Sequence, residues 1–121
     1  MKGRLGDKVR LQHILNAINE IENYLDSVTF EQFHMNSEKR FATIKQLEII
    51  GEASNAISDE LKSLNDEIPW KPIIGFRNMA IHEYFGINLQ LVWEITDNDL
   101  PPLKEKMQTL LNSLLLDADT N

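Results

Sequence analysis

Asp7-Lys-Val-Arg-Leu11-Gln-His13-Ile14-Leu15-Asn-Ala-Ile18-Asn-Glu-Ile21-Glu-Asn-Tyr-Leu25-Asp-Ser-Val28 is the stretch on which the fold turns. Leu11, Ile14, Leu15, Ile18, Ile21, Leu25 and Val28 return at helical intervals, so one apolar stripe runs down an otherwise polar segment. The spacing predicts an amphipathic helix over residues 7–28, too regular at period 3.6 to serve as a strand. A helix with one apolar face needs other helices to cover it.

Those helices follow downstream. Thr29 is placed to cap a short turn holding Phe30 and Phe33, and Asn36 or Ser37 to cap a second long helix. Its expected inward residues are Phe41, Ile44, Leu47, Ile50 and Ile57. Gly51 costs that helix about 1 kcal/mol relative to Ala, which points to close packing against a neighbour. Asn65 to Pro69 read as a break, and Pro72 falls in the first turn of a third helix that is expected to end near Gly86. Asn88 can cap a short helix through Leu89, Val92, Trp93 and Ile95. Asp97 to Asp99, followed by Pro101 and Pro102, then opens a last helix burying Leu103, Met107, Leu110, Leu111 and Leu114. No alternating strand pattern appears. The expectation is an all-α antiparallel bundle of about five helices, one domain over residues 1–121. Apolar stripes too wide for so small a bundle predict a homodimer, the commonest assembly.

Composition narrows the function. The 121 residues include no cysteine, which removes disulfides and thiolate metal sites and fits a reducing cytoplasm. No apolar run approaches membrane-spanning length, and residues 1–7 lack a secretory apolar core, so a cytoplasmic protein with no membrane partner is expected. The formal charge of −7 argues against a broad nucleic-acid surface. Lys2, Arg4, Lys8 and Arg10 do gather at one end, but a solvated basic face explains them more simply. Any RNA contact must be local or pooled between subunits.

One segment concentrates the chemistry: Trp70-Lys-Pro-Ile-Ile-Gly75-Phe-Arg77-Asn78-Met-Ala-Ile-His82-Glu-Tyr84. On a continuous α-helix Asn78 and His82 lie one turn apart, and Arg77 and Tyr84 return to nearly one line. A fixed cation beside a group that exchanges protons near neutral pH suits phosphodiester cleavage. A lone helical His is more often structural, and a buried polar network joining helices remains the alternative on spacing alone. Glu52, in the apolar stretch Leu47-Glu-Ile-Ile-Gly51-Glu52-Ala53, is expected to be buried against an Arg or His of the third helix. Its reading is structural, or supporting the site from behind, rather than a general base. Trp70 and Trp93 read as core or interface aromatics. His13, His34 and His82 are too scattered for a zinc or di-metal site. There is no glycine-rich phosphate loop and no Ser or Cys nucleophile motif.

Arg77-Asn78, a three-residue gap and then His82-Glu83-Tyr84 resembles the signature of the HEPN superfamily, in the form found in HepT-like ribonuclease toxins. Ile50-Gly51-Glu52-Ala53, Trp70 to Gly75, Tyr84-Phe85-Gly86 and Leu91-Val92-Trp93 extend the resemblance over essentially the whole chain. The resemblance implies an all-α homodimer whose two Arg–His motifs share a cleft, and a metal-independent endoribonuclease requiring no cofactor. It implies RNA as substrate and a minimal nucleotidyltransferase antitoxin as partner, which would transfer AMP to Tyr84. In that scheme His82 is general acid or base on the ribose 2′-OH and the leaving 5′-oxygen. Arg77 holds the scissile phosphate, Asn78 orients phosphate or imidazole, and the product is a 2′,3′-cyclic phosphate. A non-catalytic helical dimer that binds a nucleotide or the nucleotidyltransferase is the alternative, favoured by the acidic charge.

Overall fold

The computed structural model describes residues 3–79 and 88–120. Seven α-helices lie within those residues: α1 Gly3–Leu25, α2 Phe30–Met35, α3 Ser37–Ala56, α4 Asp59–Leu64, α5 Trp70–Ile74, α6 Leu89–Glu94 and α7 Leu100–Thr120. A 3-10 turn, Gly75–Asn78, extends α5, and a π turn, Ile95–Asp99, joins α6 to α7. Among the described residues there is no strand, and no helix is long and apolar enough to cross a membrane. The fold is all-α.

Local chemistry sets most boundaries. The Thr29 hydroxyl accepts from the Gln32 N–H at 3.2 Å while the Gln32 side chain accepts from the Thr29 N–H at 2.9 Å. This reciprocal pair satisfies two donors that a helix start would otherwise leave open. Asn36 caps α3 through the Lys39 N–H, and Asn88 caps α6 through the Leu91 N–H. The Ser58 hydroxyl caps α4 and in turn donates to Asp7 at 2.7 Å. The Ser58 N–H donates to the same carboxylate at 2.8 Å, so the buried Asp7 of α1 anchors the start of α4.

Long-range polar contacts give the helix directions. Near the end of α1, the Tyr24 carbonyl accepts from Lys39 and its hydroxyl from Gln46, both early or midway in α3. Lys104, in the second turn of α7, pairs with Glu22 at 2.7 Å. The other end of α1 meets the late parts of both partners, since Asp7 shares a cavity with Leu110, Ser113 and Leu114. Both α3 and α7 therefore run antiparallel to α1. Between them Leu11, Ile14, Ile18, Ile21, Leu47, Ile50 and Met107 lose essentially all contact with solvent. Trp93 is partly buried against the core and packs on Phe30 and Phe33 with ring centroids 5.8 and 5.4 Å apart.

Three expectations change. Phe41 is 58% exposed rather than inward. It lies six residues before Leu47, which rotates it about 120° from the core line, and Thr43 takes the buried position instead. Asp97 to Asp99 do not break the chain, which stays helical from Leu89 through Thr120. Pro101 and Pro102 offer no N–H to the carbonyls four residues earlier, and their rings crowd those carbonyls. The helix widens there, and the Leu100 N–H reaches back five residues to Ile95. The second long helix also stops at Ala56, and the separate helix α4 fills the following stretch.

Candidate active site

Pro69 stands at the cap of α5, and Pro72 lies in its first turn, where a missing N–H costs nothing. Trp70 is buried, and its indole N–H donates to the Asn65 carbonyl at 3.0 Å, which ties the helix start to the preceding turn. Trp70, Ile73, Phe76 and Met79 are all buried, and they recur every three residues. On a straight α-helix each step of three drifts about 60°, so Met79 would end opposite Trp70. A 3-10 turn, at three residues per turn, keeps such residues in line. The apolar spacing thus accounts for the tightening at Gly75–Asn78. Arg77 and Asn78 occupy the outward positions of that turn and are exposed.

The turn rests on α3 at Gly51. A Cβ at residue 51 would lie 2.5 Å from the Arg77 nitrogen, 2.9 Å from the Ile74 oxygen and 3.2 Å from the Arg77 Cα. Only a glycine permits that approach. Close packing was legible in the sequence; that the neighbour is the backbone of Arg77 was not. Among the described residues no hydrogen bond or ion pair holds the Arg77 guanidinium. His82, Glu83, Tyr84 and the expected helix end at Gly86 lie outside the described residues, so the Arg77–Asn78 half of the motif is what the fold displays. Because the turn is 3-10, the continuous α spacing assumed for the segment does not apply through Asn78.

Glu52 is exposed rather than buried. Its neighbour Gly51 takes the position facing Arg77, and one further residue turns the side chain about 100° away. It lines a groove of about 360 Å³ between α1 and α3 with Arg10, His13, Lys45, Glu48 and Ile49. Among the described residues no side chain of the third helix pairs with it, and Glu52 gains no burial that would demand a partner. Among the described residues no group of three His, Cys, Asp or Glu side chains is arranged to hold a metal.

Residues 14–110 match the family described as ribonuclease HepT-like. A protein named "Probable ribonuclease HepT" from Thermococcus cleftensis is 40% identical over 100 residues, which span 83% of this chain and 91% of that protein. "Putative RNase MJ1380" from Methanocaldococcus jannaschii is 37% identical over 101 residues, 84% of this chain and 93% of its own length. "Putative RNase TTE0752" from Caldanaerobacter subterraneus is 34% identical over 101 residues, with 84% and 90% covered. No solved structure gives a significant match. A helical chain matched over this span belongs to the HepT-like ribonuclease family.

Proposed function

We propose that this chain is an endoribonuclease that works without a metal, as the toxin of a toxin–antitoxin pair. The observation that carries the reading is Arg77: an exposed guanidinium, unpartnered among the described residues, on a turn whose backbone is seated against Gly51. A cation held that way keeps its planar donors for a phosphate. RNA supplies the nucleophile. The ribose 2′-oxygen attacks the adjacent phosphorus, the bond to the 5′-oxygen breaks, and a 2′,3′-cyclic phosphate remains. His82 takes the 2′-OH proton or delivers one to the departing 5′-oxygen, while Arg77 stabilises the charge that builds on the phosphate oxygens. Asn78, exposed beside Arg77, orients the phosphate or the imidazole.

Two subunits would bring two Arg77 side chains to one RNA path, which answers the net charge of −7. The partner in this reading is a minimal nucleotidyltransferase that silences the toxin by placing AMP on Tyr84. A phosphate attached to Tyr84, two residues beyond His82 in the motif, would compete with RNA for Arg77. The acidic charge also favours a second reading, a helical dimer that binds a nucleotide or the nucleotidyltransferase and cleaves nothing. Purified protein incubated with labelled RNA, with and without EDTA, decides between them. Cleavage undiminished by EDTA and lost in Arg77→Ala is the expected result. Intact RNA in every reaction would favour the binding module.

A further inference from the structure

Gly51 sits inside α3, where a glycine weakens a helix relative to alanine. It is buried, and what it faces is backbone. The nearest atoms to a Cβ there are the Arg77 nitrogen at 2.5 Å and the Ile74 oxygen at 2.9 Å. Those two atoms are the pair that the i to i−3 bonding of a 3-10 turn joins. Gly51 therefore packs directly on the hydrogen bond that shapes the turn bearing Arg77. Main-chain atoms have no rotamer to swing aside. An added methyl must push the turn away by roughly 1 Å to restore ordinary contact distances. By contrast, a Cβ at Gly75 would meet nothing within 4 Å, although it belongs to the same turn.

We propose that Gly51 is the positioning residue for Arg77: it sets the depth at which the turn sits on α3, and so where the guanidinium meets the scissile phosphate. The proposal rests on the reading of Arg77 as the phosphate-holding group. Gly51 touches no substrate and acts only through the backbone of residue 77. Displacing a catalytic group by ~1 Å costs about 100-fold in rate even when the group itself is retained. The displaced guanidinium keeps its charge near the phosphate, so ground-state binding would feel little of this. The loss should therefore fall on kcat and leave KM nearly unchanged.

The test is a double-mutant cycle in steady-state RNA cleavage, with Gly51→Ala, Arg77→Lys and the double variant, each assayed well below its thermal midpoint. Gly51→Ala is expected to lower kcat about 100-fold with KM within about threefold of the parent. In the Arg77→Lys background the same change should lower kcat by less than about threefold, because the geometry it spoils is already lost. Its thermal destabilisation should be equal in both backgrounds. Leu111→Ala, which hollows the core at α7 away from the turn, should lose stability and keep its kcat. Full kcat in Gly51→Ala, an undiminished loss on the Arg77→Lys background, or an equal kcat loss in Leu111→Ala each overturns the proposal. Wild-type kcat in Arg77→Lys would instead sink the reading of Arg77, and this proposal with it. Should Gly51→Ala fail to fold, Phe76→Leu loosens the same seat through a buried ring without a backbone clash. It must then show the same kcat loss and the same masking by Arg77→Lys, or the proposal falls.

Discussion

A guanidinium carries five N–H donors in a rigid plane, and one left without protein partners presents them all to a ligand. Arg77 is in that condition among the described residues, whereas Lys39, Lys62, Lys104 and Lys106 all spend their ammonium groups on carbonyls or carboxylates. Arg77→Lys keeps the charge and loses the two-pronged contact, so kcat should fall by roughly 100-fold or more. Retention of most of the activity would make Arg77 structural. His82→Ala should abolish cleavage while circular dichroism stays helical, because no other residue of the motif exchanges protons near neutral pH. A folded His82→Ala protein that still cleaves would remove His82 from the mechanism. Tyr84→Phe separates switch from catalysis. It should cleave RNA as the parent does and gain no AMP, by intact mass, when co-expressed with the nucleotidyltransferase. If it is still neutralised with no added mass, occlusion by the partner is the better explanation.

At the scale of elements, the joint between α1 and α4 depends on Asp7. Its carboxylate accepts from both the N–H and the hydroxyl of Ser58 and is itself buried. Asp7→Ala leaves that N–H without a partner and should cost about 1–3 kcal/mol in urea unfolding, with the slope unchanged. A cost near zero would mean that water takes over the bond at no expense. The caps at Thr29, Asn36 and Asn88 were legible in the sequence because a cap is a local transaction, complete within three residues. The apolar stripe of α1 was legible for the same reason: its period lies within one helix. What escaped depends on neighbours. Phe41 turns outward because the register of α3 is set by Leu47 and Ile50 against α1. The π turn depends on how two adjacent prolines share one helix, which no single-residue propensity describes. Gly51 announced a close approach, but only the fold names Arg77 as its neighbour. Glu52 looked buried because its sequence neighbours are apolar, yet the helix turns it into the α1–α3 groove.

For the whole molecule, the difficulty is an acidic chain acting on a polyanion. A contact limited to the two Arg77 side chains of a dimer would neutralise few phosphates. The slope of log binding constant against log salt should then be shallow, about −1 to −2 for single-stranded RNA. A slope steeper than about −4 would require a basic surface well beyond Arg77. Light scattering should give twice the chain mass of 14.0 kDa, and a strictly monomeric active nuclease would show that one motif suffices. The chemistry itself is read most directly at the cut ends. RNA cleaved by the purified protein in excess EDTA should carry 2′,3′-cyclic phosphate and 5′-hydroxyl termini by mass spectrometry, the outcome required by the proposal that the 2′-oxygen is the nucleophile and that His82 with Arg77 supply all the assistance. Fragments ending in 3′-hydroxyl and 5′-phosphate, or cleavage that EDTA abolishes, would contradict that mechanism.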